Sequence, residues 1–364
     1  MRMRKRSNAI TAQRRATAWM NHPLVLAFLL VETWNLGAIH GWIGSNNVPT
    51  RTTRTAKIVR DAVGSSHQDI RSSIPVIPNA QSSFAEEKFV EETNTRLYKL
   101  KGKLLKQIRQ TCLQYNMLEE GDHIMICVSG GKDSATLLSL VKQLQRQLPI
   151  QFNVTAVHVD QKQPGYNGAS LIAWLEEMMI PYLVVTEDTY SVVVDKTEPG
   201  KSFCTVCSRL RRGILYSTAL TLGCNKIMLG HHADDCLETL LLNMIHTGQT
   251  KAMPARYTSQ RGSLAVMRPL IQSMETDIAE YAHLSNFPIL PCNLCSNQAN
   301  LQRPQVKLLL ETIQASLNPN AKRNMLNAVG DVRPSHLLDQ SLREMCGMDP
   351  ITGQVEASDE DEAI

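Results

Sequence analysis

The run Ser129-Gly130-Gly131-Lys132-Asp133-Ser134 has the residue types of an anion cradle. Two adjacent glycines let backbone N–H groups turn inward and approach a phosphate closely. A helix opening here would add the partial positive charge of its N-terminus, and Lys132 adds a full one. Asp133, out of place beside a phosphate, makes sense as a partner for Mg²⁺. The run is not a Walker A loop. The chain's one Gly-Lys-Ser, at Gly200–Ser202, has Asp195 where the leading glycine belongs, and no G-x-G-x-x-G occurs.

Sulfur supplies the second set of reactive groups. Among the nine cysteines two pairs are spaced C-x-x-C: Cys204/Cys207 and Cys292/Cys295. An odd number of cysteines in a chain this long does not suggest a secreted disulfide scaffold, and the spacing suits a reducing compartment. Cys207 and Cys292 are 85 positions apart, so the pairs can meet only across the fold. Three chemistries fit: four ligands to a structural zinc, three ligands to an iron–sulfur cluster, or a redox pair that carries sulfur as a persulfide. Spacing alone slightly favours zinc. The remaining five, Cys112, Cys127, Cys224, Cys236 and Cys346, read as core or incidental thiols.

A third constellation is Gly230-His231-His232-Ala233-Asp234-Asp235. His231/Asp235 and Asp234/Glu238 are i,i+4 pairs, able to bind a metal or to cap a helix. Beside an anion cradle they read as nucleotide and Mg²⁺ contacts. Asp160 could hold the adenosine end of a nucleotide, although a turn-capping aspartate in Asp160-Gln-Lys-Gln-Pro-Gly165 is equally natural. Arg209, Arg211 and Arg212, just after the first cysteine pair, read as phosphate contacts to nucleotide or RNA.

Positioning these groups requires elements that end where they begin. Short β-rich runs alternate with helical stretches: 124–129 then 135–148, 153–159 then 171–179, 226–230 then a helix to about 245, and 264–268 then 276–284. Between them, 182–186 leads into a long polar loop and a helix from about 205. This alternation implies an α/β fold, a parallel sheet with helices on both faces. Ligands then bind beyond the carboxyl ends of the strands, where the three constellations lie.

Before this body, residues 86–117 place Leu97, Leu100, Leu104 and Ile108 on one helical face and Arg96, Lys99, Lys103 and Lys106 on another. The ends carry the charge imbalance: 11 Lys/Arg against 3 Asp/Glu over 1–85, and none against 5 over 353–364. Over 86–352 the count is 27 against 26, so any polyanion site there must be a local patch. The longest apolar run, Leu24 to Val31, is eight residues, where a spanning helix needs about 20.

With these motifs in view, SGGKDS resembles the PP-loop of the ATP pyrophosphatases, which cleave ATP between its α- and β-phosphates and adenylate a substrate. The member is indicated by CTVCSRLRRGILY, LGHHADDCLETLLLNM, DQKQPG and PCNLCSNQANLQR, which together closely resemble the tRNA 2-thiocytidine synthetases. The likeness runs from about Leu118 to Ser335, some 60 per cent of the chain. Ala233 departs from it, because the family often has Arg between the His and Asp pairs; if that Arg contacts nucleotide or RNA, this chain binds with one charge fewer.

The resemblance implies a PP-loop, adenine nucleotide alpha-hydrolase-like sheet with helical additions at both termini. It implies ATP-dependent sulfur insertion at C2 of cytidine 32 in tRNA: adenylation of the C2 oxygen, then transfer of sulfur bound at a [4Fe–4S] cluster, with release of pyrophosphate and AMP. ATP is the co-substrate and Mg²⁺ its companion. The implied cluster ligands are Cys204, Cys207 and one cysteine of the second pair, here Cys295. Ser129, Gly130, Gly131, Lys132, Asp133, Ser134, Asp160, Gly230, His231 and Asp235 fall to the nucleotide, with Lys132, Asp133, Cys204 and Cys207 as the catalytic set. The implied partners are tRNA and a cysteine desulfurase as sulfur donor; separately, a homodimer is the expected assembly, the cytoplasm the expected location, and the short apolar runs predict no membrane span. Residues 1–85 fall outside the resemblance; their Arg-, Ser- and Thr-rich, acid-poor composition predicts a disordered or organelle-targeting extension. A basic helical segment (86–120), the catalytic domain (121–302), a helical segment (303–352) and an acidic tail (353–364) follow. The rival readings are a zinc-containing PP-loop uridine thiolase, a lysidine synthetase and a catalytically silent tRNA- or nucleotide-binding protein.

Overall fold

In the computed structural model, residues 80–198, 203–259, 264–290 and 302–355 are described. The extension before residue 80, the acidic tail from 356, and Cys292 and Cys295 lie outside them. The chain divides into two compact units, Met1–Tyr98 and Lys99–Ile364.

Helix α1, Ala80–Gln114, continues into the second unit. There Leu100, Leu104, Ile108 and Cys112 recur at i+4 spacing and are buried, while Lys99, Lys103 and Lys106 remain exposed. Lys103 is partly committed, its ammonium lying 2.7 Å from Asp277.

Six strands form one sheet in the order β3-β2-β1-β4-β6-β5. They are β1 His123–Cys127, β2 Asn153–Asp160, β3 Tyr182–Thr186, β4 Lys226–Met228, β5 Arg256–Thr258 and β6 Ala265–Met267. The first four and β6 run parallel, as the alternation of strands and helices requires. Strand β5 pairs antiparallel with β6 and makes the sheet mixed. The sequence pattern overlooks it because Arg-Tyr-Thr is three residues long with both ends exposed, a short charged edge with no apolar alternation.

The connecting helices are α2 Lys132–Gln147, α3 Ala169–Glu177, α4 Thr189–Lys196, α5 Cys204–Thr221, α6 Ala233–Thr247 and α7 Glu275–Leu284. Met125, Val157 and Ile227 pack with Ala219 and Leu215 of α5 on one sheet face. Their strand neighbours Ile124, Ile126 and Ala156, which alternation sends to the other face, are equally buried. Both faces are therefore covered.

Helix α4 replaces part of the expected polar loop. Its Tyr-Ser-Val-Val-Val run has low helix propensity, but Asp188 caps it by accepting from Ser191 N at 3.1 Å, and Val193 is buried against Cys207, Phe203 and Leu210. Beyond residue 301 come α8 Gln302–Ser316, α9 Ala321–Gly330 and α10 Gln340–Met345. Val306 and Leu310 of α8 pack with Leu237 of α6.

Candidate active site

Sheet order reverses direction between β1 and β4, and the crevice beyond their carboxyl ends is where an open α/β sheet binds ligands. A cavity of about 360 Å³ opens there. Its lining includes Ser129, Gly131, Asp133, Ser134, Gly230, His231 and Asp235. It also meets Val128, His158, Gln161, Tyr166, Arg211 and Leu215.

The loop from 129 to 134 is tied to itself. Ser129 N donates to Ser134 Oγ at 3.1 Å, and Ser134 Oγ donates to the Gly131 carbonyl at 3.0 Å. Gly130 has φ +83°, a region glycine enters without steric cost. A Cβ there would also lie 2.9 Å from the Leu290 side chain, and Leu290 N donates to the Gly130 carbonyl at 2.8 Å. Gly230 is required by close approach: a Cβ would sit 2.9 Å from the backbone of Asp133 and Ser134. The end of β4 and the start of α2 thus touch main chain to main chain.

Lys132 is not among the cavity-lining residues. Its ammonium lies 3.0 Å from Glu275, the first residue of α7, and Lys307 of α8 meets the same carboxylate at 2.7 Å. Burial alone would raise the Glu275 carboxyl, but hydrogen bonds from Lys307 and Lys132 outweigh it and hold it at about 2. Asp133 behaves differently. Burial pushes its carboxyl up despite Lys132 nearby, and its Oδ1 is buried without a hydrogen bond. Oδ1 is only 3.2 Å from Lys132 Nζ, yet that contact lacks hydrogen-bond geometry. An orphaned carboxylate oxygen facing a phosphate loop fits a divalent cation.

The His-Asp run divides its labour. His232 and Asp235 form a capping box on α6: Asp235 Oδ2 accepts from His232 N at 3.0 Å and the imidazole accepts from Asp235 N. Asp235 Oδ1 accepts from Arg303 at 3.1 Å. Asp234 is buried, taking hydrogen bonds from Lys322 and from Glu275 N. His231 faces the cavity, where burial and the Arg268 guanidinium bring its imidazole down to about 4. It is a neutral group whose Nδ1 accepts from Arg268 Nε at 3.3 Å. Ala233 is fully buried, its N–H given to the Ser273 carbonyl. Asp160 caps its turn by accepting from Lys162 N at 2.9 Å; its neighbours Val159 and Gln161 line the cavity instead.

Cys204 and Cys207 occupy the first turn of α5. Cys204 is exposed and Cys207 buried. The Cys207 thiol donates to Gln161 Oε1 at 3.4 Å, which joins the cysteine pair to the cavity wall. Two soft donors one helical turn apart fit an iron–sulfur or zinc centre. Among the described residues no third ligand is clustered with them. Burial pushes the thiols of Cys112 and Cys127 up to about 12, so neither is a nucleophile at neutral pH. Arg209, Arg211 and Arg212 are exposed on α5, and Arg211 reaches the cavity. Motif reading missed Gln161, His158, Tyr166, Arg268 and Glu275 as site residues; only Gln161 lay in a singled-out motif, while His158 sits within β2, Tyr166 and Arg268 follow strands and Glu275 opens α7, none with a pattern of its own.

Comparison with known proteins bears on the same residues. The model of the PP-loop domain family matches residues 100–323. A tRNA-cytidine(32) 2-sulfurtransferase of Pseudoalteromonas atlantica is 50% identical over 249 residues, covering 68% of this chain and 78% of that one. One from Tolumonas auensis is 45% identical over 261 residues, with coverage of 72% and 86%. Among solved structures, the U34-tRNA thiolase NcsA from Methanococcus maripaludis with its [4Fe-4S] cluster aligns with a TM-score of 0.51, covering 64% of this chain and 78% of that one. At 20% identity that likeness speaks for the fold. With a family model over more than half its length and relatives matched over most of theirs, the chain belongs to the tRNA-cytidine(32) 2-sulfurtransferase family of PP-loop proteins.

Proposed function

We propose that this chain thiolates C2 of cytidine 32 in tRNA at the expense of ATP. The observation that carries the reading is the hydrogen bond from Cys207 to Gln161, which puts a cysteine pair against the wall of a PP-loop cavity. The C2 oxygen attacks the α-phosphorus of ATP, the bond between the α- and β-phosphates breaks, and pyrophosphate leaves. A poor leaving oxygen has become a phosphate ester, and AMP departs as sulfur takes its place at C2.

Residues 129–134 and the N-terminus of α2 stabilise the charge that develops on the departing pyrophosphate. Lys132 is the loop's full positive charge. Asp133 would hold the Mg²⁺ that accompanies ATP. Gly230 keeps the cradle compact, neutral His231 offers a polar wall without charge, and Asp235 fixes the start of α6. Asp160 shapes the turn at the adenosine end. Cys204, Cys207 and Cys295 would hold a [4Fe–4S] cluster, which supplies activated sulfur when bound. The target base is presented from a single-stranded loop, where unstacking costs only a few kcal/mol. The enzyme draws its sulfur from a cysteine desulfurase, works in the cytoplasm and assembles as a homodimer. Among the described residues no helix is long and apolar enough to cross a membrane.

Anaerobic purification with iron, sulfide and zinc analysis tests this directly. About four iron and four sulfide per chain are expected. Stoichiometric zinc without iron after reconstitution would overturn the assignment and advance the uridine-thiolase reading.

A further inference from the structure

His158 of β2 and Tyr166 in the turn after it line the same cavity without belonging to the 129–134 loop, and the chemistry proposed above uses neither. His158 Nδ1 lies 2.7 Å from the Val128 carbonyl oxygen, and Nε2 lies 2.5 Å from the Tyr166 hydroxyl. The two rings stack, with centroids 5.7 Å apart and planes 15° from parallel.

The polarity of this chain is forced. A carbonyl oxygen can only accept, so Nδ1 carries the ring proton. His158 is 4% exposed, and burial lowers its basicity, so the ring is neutral and Nε2 has a lone pair. The Tyr166 O–H must therefore donate to Nε2. Its oxygen, with the proton spent, can only accept from whatever fills the cavity. Gly168 leaves room for the phenol, since a Cβ there would run into the end of the Tyr166 side chain. Among the described residues His158 is the hydroxyl's hydrogen-bond partner.

We propose that Tyr166, oriented by His158, is a specificity-determining residue of the nucleotide site that accepts from the 6-amino group of adenine and rejects a carbonyl at that position. The PP-loop takes the triphosphate, and the phenol oxygen, on the β2 side of the same cavity, meets the nucleoside. An acceptor facing a purine 6-oxo group would leave two lone pairs opposed and a buried oxygen unpaired. The inference rests on the ATP-using reading above.

The test is equilibrium binding of ATP and inosine triphosphate to the full-length chain, with 2′-deoxy-ATP and 3′-deoxy-ATP as further ligands. Wild type should favour ATP over inosine triphosphate by about ten- to a hundredfold. Tyr166→Phe should bring that ratio to within about threefold while its melting temperature stays near wild type. His158→Ala frees the phenol proton to donate, and should narrow the ratio by improving inosine triphosphate binding. Equal weakening of both nucleotides in Tyr166→Phe, as a packing role would give, overturns the proposal. So does a loss in Tyr166→Phe that either deoxy-ATP analogue reproduces in wild type, which would assign the contact to that ribose hydroxyl. A wild-type chain that binds no ATP would instead remove the nucleotide reading itself.

Discussion

Lys132 illustrates how far a residue's role depends on its neighbours. Its motif position marks it as the phosphate cation, and burial would lower its pKa, yet Asp133 and Glu275 keep it firmly protonated. Lys132→Ala should cost about 3–4 kcal/mol of transition-state stabilisation, a 10²–10³-fold loss in tRNA-dependent pyrophosphate release. Activity within tenfold of wild type would remove its assigned role. His231 makes a prediction in pH. The unfolded imidazole titrates near 6.5 and the folded one near 4, so between those values the unfolded chain binds more protons. Stability should therefore fall as pH drops from about 6.5 to 4, by up to about 3 kcal/mol, with no further loss from this group below that window. Urea unfolding of wild type and His231→Asn across that range checks it: the variant's profile should be the flatter of the two.

At the scale of elements, contact between β4 and α2 depends on one missing methyl group. Gly230→Ala pushes a Cβ into the backbone of Asp133 and Ser134, neither of which is a flexible side-chain end. It should cost about 1–3 kcal/mol and weaken ATP binding with it. Gly213→Ala in α5 is the contrasting case, with nothing within 4 Å of the new Cβ, and should stabilise by about 0.5–1 kcal/mol. Thermal melts of both variants decide whether glycine matters by position or merely by type. The same elements show what the sequence discloses. Parallel strands and the loop after β1 were legible because apolar runs, turn residues and the SGGKDS motif are local signals. Strand β5 was not, since it exists only through its partner β6. Helix α4 was hidden by β-branched residues whose helical state is set by burial against α5. Glu275 carries no motif at all; it becomes part of the site because α7 begins beside Lys132, a pairing across 143 residues.

For the molecule as a whole, recognition of tRNA should be electrostatic. Lys99, Lys106, Arg209, Arg211 and Arg212 are exposed, while Lys103 is partly spent on Asp277. If about five phosphates are engaged, log affinity should fall with log salt at a slope of roughly −3.5 to −4.5. Filter binding across a salt series measures this, and a flat response would exclude these side chains as the tRNA surface. The C-terminal helices bear on the whole differently. Arg303, Lys307 and Lys322 supply counter-charges to Asp235, Glu238, Glu275 and the buried Asp234. Such carboxylates are costly to desolvate alone. On a translating ribosome, Asp234 emerges 88 residues ahead of Lys322, and the phosphate loop earlier still. Until that lysine is synthesised Asp234 lacks its counter-charge, so a chain ending just before it would carry every catalytic motif yet leave a buried carboxylate uncompensated.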